Sequence, residues 1–293
     1  MLFRSSDDGL FRDPLIECQR AEEMDWWGWR HLTLHSIMAL TVLGGVARKS
    51  FSPLEPFREP GKVQTWLETR NWGKDPTSVS NEIQNFGTML QYARDFQGEA
   101  WCNWVLREMY EWLDGHQDPR TGLWGHGFRT PKGLSLGVQT GYHIWLLYFY
   151  DKRPIQHVER IIDSCLATQN RLGGFGVLLN SSACEDIDSI DPLVRLYQVT
   201  DYRKQDIRRA LEKALTWILA NRNPDGGWVF RRHDPFWLHD LMFTRSEESA
   251  MFPTWFRTLC LAYLGQVDLG MVFLKDDWKF VRCQGHQFFE REE

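Results

Sequence analysis

The chain has 293 residues, 43% hydrophobic and 25% charged, which is the composition of an ordinary folded protein of one large domain or two small ones. A net charge of -5 without any basic stripe argues against nucleic acid as a partner, and no apolar run approaches the ~18 residues that span a bilayer. Six cysteines without a CxxC pair, after a start (Met1-Leu2-Phe3-Arg4-Ser5-Ser6-Asp7-Asp8) that does not read as a signal peptide, suggest a reduced, intracellular, cytoplasmic protein.

In chain order, hydrophobic periodicity predicts helices in pairs. Residues 24–46 pair with a short stretch near 62–70, and 79–96 with 99–114. Residues 137–150, apolar on most sides, pair with the amphipathic stretch 155–169. A short apolar helix over about 191–200 starts at Asp191-Pro192, read as N-cap and first helical residue, and pairs with 203–221. In that last helix Ile207, Ala210, Leu211, Ala214, Leu215, Ile218 and Leu219 form one apolar face, and Asn223-Pro224-Asp225-Gly226-Gly227 stops it. Residues 247–265 open a fifth unit.

A turn signature punctuates these pairs: Trp72-Gly73, Gly122-Leu123-Trp124-Gly125, Gly173-Gly174-Phe175-Gly176 and Gly226-Gly227-Trp228. The aromatic positions are 52, 51 and 53 residues apart, with Asp8-Gly9-Leu10-Phe11 and Phe280 as faint outer copies. A fixed period of this size marks a stacked array, and it excludes the ~34-residue helical repeats. Alternation of a buried with an amphipathic helix predicts an inner and an outer ring: an all-α fold, a single α/α toroid of five to six hairpins over 1–293.

The residues Leu219-Ala220-Asn221-Arg222-Asn223-Pro224-Asp225-Gly226-Gly227-Trp228 resemble the QW-type repeat of squalene and terpene cyclases and protein prenyltransferase β subunits. Cys165-Leu166-Ala167-Thr168-Gln169-Asn170 with Gly173-Gly174-Phe175-Gly176 resembles a second copy, and the likeness covers about residues 80–265. Asp186-Ile187-Asp188-Ser189 resembles the Asp-x-Asp-Asp acid motif of class II terpene cyclases, with Ser189 in place of the last Asp. The resemblance implies an isomerase acting on an isoprenoid-like substrate, with Asp188 as proton donor and Asp186 holding and acidifying it. Class II enzymes join two helical domains where this length has room for one, so a partner subunit or domain is an expectation too. Cys184 precedes Asp186, the reverse of the prenyltransferase zinc order, and that metal set is not reproduced.

In a ring of this kind the N-termini of inner helices converge. They bring Trp26, Trp29, Arg30, His31, Asn81, Gln139, His143, Glu185 and Glu248, with Trp255, to the rim of one substrate pocket. Fifteen Trp residues suit aromatic stabilisation of carbocations, and equally serve as core filler. Asp186 and Asp188 also suit a plain helix N-terminus, and Asp191 with Arg195 a plain i,i+4 pair. Two further readings stand: a carbohydrate-active toroid, glycoside hydrolase or polysaccharide lyase, opposing Glu185, Asp186 and Asp188 to Glu247 or Glu248; and a non-catalytic binding module. The Asp118–Gly125 turn resembles turns of sugar-active toroids. His233-Asp234, His239-Asp240 and the pair His116 and His126 lack metal-ligand spacing, so neither metal nor cofactor is expected.

Overall fold

The computed structural model describes residues 6–13, 30–239, 242–269, 278 and 280. These residues are mostly helical, with one two-stranded hairpin. They divide into two compact units, one running through Gln117 and returning over His143–Ile155, the other covering Asp118–Tyr142 and continuing from Gln156. No described helix is long and apolar enough to cross a membrane.

The first unit contains α1 (Leu32–Val42), a 3-10 helix (Ser52–Arg58), α2 (Lys62–Glu68), α3 (Pro76–Phe96) and α4 (Cys102–His116). It also takes the second part of α5 (Pro131–Tyr150). Asp75 starts α3 by accepting the Ser78 N–H at 3.1 Å, with Pro76 in the first turn, where its missing N–H costs nothing. Every residue of α3 from Ser80 to Ala93 is buried except Asn81. In α4, Val105, Leu106, Met109, Tyr110 and Leu113 form a single apolar stripe. Gly87 admits Leu147 of α5 onto the α3 backbone, since a Cβ there would meet the Leu147 Cδ1 at 2.6 Å. In this core Gln91 and Tyr110 both donate to the Leu147 carbonyl at 3.0 Å.

The second unit contains the first part of α5, then α6 (Val158–Ala167), α7 (Ala183–Val199), α8 (Lys204–Ala220), β1 (Phe236–His239), β2 (Met242–Thr244) and α9 (Met251–Leu264). Here α7 lies against α6, α8 and, most extensively, α9. The helices α6 and α8 are amphipathic, while α7 is buried continuously from Asp186 to Val194. The unforeseen hairpin pairs Trp237 with Phe243 and turns Phe236 onto Phe230, 4.2 Å between ring centroids.

The repeated turn has a definite geometry in this unit. After α6, the Asn170 N–H bonds to Gly174 O at 2.8 Å and Gly176 N–H to Thr168 O at 2.9 Å. After α8, Asn223 N–H bonds to Gly227 O at 2.8 Å and Val229 N–H to Asn221 O at 3.3 Å. Gly173 (φ 99°) and Gly226 (φ 91°) occupy matching left-handed positions. The turn ending in Trp124 is longer by one residue, closing from Asp118 N–H to Leu123 O at 2.8 Å. Trp124, Phe175 and Trp228 are all buried. Trp72 departs from the expected equivalence. The segment Arg70-Asn71-Trp72 has no glycine ahead of the aromatic, and the half-buried indole instead donates to Leu67 O and stacks on Trp112.

Three helix starts differ from expectation. The helix expected at Asp191 begins eight residues earlier at Ala183. Ser182 accepts the Glu185 N–H at 3.2 Å while Glu185 accepts the Ser182 N–H at 2.7 Å, a complete capping box. Asp191 is therefore no cap, and Pro192 lies inside the helix. Likewise α3 and α5 start at Pro76 and Pro131, so Asn81, Gln139 and His143 are interior helix residues rather than N-terminal ones.

Candidate functional site

Three carboxylates of α7 are buried: Asp186, Asp188 and Asp191. At 100° per residue Asp186 and Asp188 point to opposite sides, while Asp188 and Asp191 share one side. The three have different surroundings, and so different chemistry.

Asp186 is fully engaged. Its Oδ1 accepts the Phe175 N–H at 3.1 Å and the Ser181 hydroxyl at 3.2 Å; its Oδ2 accepts Trp217 Nε1 at 3.1 Å and Arg257 Nη1 at 2.7 Å. Arg257 is itself completely buried. Burial pushes the Asp186 carboxyl up, against the pull of Arg257 and of the Phe175 N–H. The Trp228 N–H is caught in the corresponding way by the Thr254 hydroxyl at 3.0 Å. Asp186 is the fourth residue of α7 and Thr254 the fourth of α9. Asp186 thus closes a repeat turn, with its oxygens spent on those four donors, and does not hold Asp188.

Asp191 pairs with Arg195, as i,i+4 spacing suggested, and the two lie beside Tyr263. Burial raises Asp191, and the Arg195 guanidinium opposes the rise.

Asp188 is 4% exposed, and among the described residues no group donates a hydrogen bond or an ion pair to its carboxyl. Burial holds it well above the ordinary carboxylate range, and the nearby charges of Glu185, Asp186 and Asp191 push the same way. Pro192 adds a backbone defect: lacking an N–H, it withholds the intrahelical bond from the Asp188 carbonyl. Burial also raises the thiols of Cys165 and Cys184, and Asp188 adds to both shifts. The result is a carboxyl biased toward its protonated form, beside thiols shifted the same way.

The other expected site residues divide between the units. In the second, Glu185 is held by its capping box and by Arg231 at 3.1 Å. Gln139 donates to Ser135 O of its own helix. Glu248 is exposed and accepts the Arg245 N–H, and Trp255 is half-buried beside Phe256. In the first unit, Asn81 donates to Thr77 O, and His143 Nδ1 lies 3.0 Å from the Ser80 hydroxyl. His31 and His35 meet through their Nε2 atoms at 3.0 Å. Burial lowers all three imidazoles, His35 to about 4 and His143 to about 3, so they are neutral. Arg30 pairs with Glu82 at 2.9 Å. Trp26 and Trp29 lie outside the described residues.

Sequence reasoning missed Arg257, although it is the only charged residue of α9, a position that signals a buried partner. It also missed the convergence of Arg30 and Arg70 on Glu82. Among the described residues no group of three His, Cys, Asp or Glu is arranged to hold a metal ion. No protein-family model, no curated protein and no solved structure matches this chain.

Proposed function

We propose that this chain is a terpenoid-cyclase-like protein of the α/α-toroid type, in which Asp188 is the proton donor toward an isoprenoid-like, apolar substrate. One observation carries the reading: Asp188 is a buried carboxyl without a donor among the described residues, raised by burial and by three neighbouring carboxylates. Burial that favours the protonated form makes such a group a proton donor toward a base presented beside it. The role differs from the one the motif implied, because Asp186 is committed to Arg257 and the turn, and Asp188 stands alone as the acid. A raised carboxyl is a weak acid. It suits a substrate whose reacting group accepts a hydrogen bond before the proton moves. Opposed carboxylates of the glycosidase kind find less support, since Glu247 is exposed and tied to Arg232 and His233, and Glu248 is exposed.

The test is incubation of the protein with linear isoprenoids and, separately, with oligosaccharides, read by mass spectrometry. A cyclised isoprenoid whose formation drops at least ~100-fold in Asp188→Asn supports the proposal. Cleaved sugar with untouched isoprenoid transfers the site to glycan chemistry. No conversion of either, with unchanged binding by Asp188→Asn, leaves a binding module.

A further inference from the structure

Cys184, Asp188 and Asp191 share one face of α7, spaced by four and then three residues. Exposure falls along that face: Cys184 is partly exposed, Asp188 keeps 4% and Asp191 none. A helical side chain leans back toward the N-terminus of its helix, so the Asp188 carboxyl lies over the first turn of α7. In that turn Ala183 and Asp186 are buried, and Glu185 is clamped by its capping box and by Arg231. Burial raises the Cys165 thiol of α6 and the Tyr142 hydroxyl of α5, and Asp188 is among the charges that add to both, which places them near it. Both are sealed from solvent.

Cys184 is thus the neighbour of Asp188 that is neither sealed nor clamped, and its side chain is small. The segment leading into α7 exposes Val177, Leu178 and Leu179, so the nearby chain offers apolar surface to an arriving molecule. We propose that Cys184 is a specificity-determining residue of the site: apolar molecules reach the Asp188 carboxyl over this side chain, and its size sets how large a molecule passes. The inference rests on the reading of Asp188 as a donor toward an apolar molecule, and adds where that molecule enters.

Carbodiimide labelling of the full chain tests it, with labelled peptides read by mass spectrometry. The probes are dicyclohexylcarbodiimide, which is apolar, and a water-soluble cationic carbodiimide. A protonated carboxyl adds across the reagent, its proton going to one nitrogen and its oxygen to the central carbon. The adduct rearranges to a stable N-acylurea, with nothing leaving. Dicyclohexylcarbodiimide should label Asp188 in the parent, and the cationic reagent at least ~10-fold more slowly, since a charge resists leaving water. Cys184→Phe should slow the apolar label at least ~10-fold, and Cys184→Ser should leave it within about twofold. Cys184→Ala, which only shortens the side chain, should speed it, and this variant decides the matter if Cys184→Phe does not fold. Asp188 left unlabelled in the parent, labelled equally in Cys184→Phe, or labelled no faster in Cys184→Ala overturns the proposal. Isoprenoid turnover judges the earlier reading separately: labelling governed by residue 184 without any isoprenoid converted supports the path and rejects that substrate.

Discussion

Arg257→Met isolates what the Asp186 pair contributes. The guanidinium and the carboxylate are both sealed from solvent, and Arg257 Nη1 supplies the only charged contact among the four donors to Asp186. Methionine keeps most of the volume, so the cost is chiefly that of a buried carboxylate deprived of its counter-ion, about 3–5 kcal/mol. The pH dependence identifies the mechanism. Arg257 is the charge that opposes the upward push of burial on Asp186, so removing it raises the folded-state pKa further above the unfolded value. A carboxyl raised in the folded state binds its proton more tightly there than in the unfolded chain. Its cost therefore appears as pH climbs through the folded pKa and vanishes in acid. Urea melts of parent and variant should accordingly give a deficit that is largest at neutral pH and shrinks toward pH 4. A deficit below ~1 kcal/mol, or one that does not change with pH, would refute the account. Adding Asp186→Asn to Arg257→Met should recover much of the loss, because the isolated charge is then gone.

Three further outcomes follow from the same reasoning. Trp228→Ala should cost about 3–5 kcal/mol, since the indole is 7% exposed and donates to Ile218 O, whereas Trp72→Ala, at a half-buried ring in a differently built turn, should cost less than half of that by denaturant melting. Asp188→Asn should raise the melting temperature at pH 8 more than at pH 5, because the parent loses stability as pH rises through the elevated Asp188 pKa; a variant less stable at both values contradicts the burial argument. His35, lowered to about 4, and His143, lowered to about 3, are neutral when folded and protonate when unfolded, so stability should fall as pH drops below 6.5, by up to about 1.4 kcal/mol per pH unit for each; His35→Gln should flatten that limb between pH 6.5 and 4 in thermal melts.

The sequence pattern located the helices well where periodicity was strong. The stretch expected over 203–221 is Lys204–Ala220, and that over 155–169 is Val158–Ala167. It failed at α7 because two start signals compete there. Asp191-Pro192 looks like a helix start, while the true one, Ser182 with Glu185, is a capping box whose reciprocal bonds depend on the local backbone. The candidate acid was legible as a residue and not as an environment. The sequence pattern started the helix only at Asp191, beyond both residues, and only the fold sets Asp186 and Asp188 on one helix and brings Arg257 from 71 residues away to claim one and leave the other. The hairpin at Phe236–Thr244 escaped notice because its short strands, four and three residues, carry too few positions for alternation to show.

The equivalence of Asp186 and Thr254 bears on the order in which the second unit can form. Thr254 closes its turn with a neutral hydroxyl that needs no help from farther along the chain. Asp186 closes the preceding turn with a charge, and its counter-ion is synthesised 71 residues later. A nascent chain that has emerged only as far as α8 must leave that carboxylate hydrated or protonated. The turn at Phe175 thus stays provisional until α9 docks. α7 and α9 then gain their final structure in one cooperative step, and the Phe175 N–H, held by Asp186, should exchange with solvent at the rate at which α9 detaches.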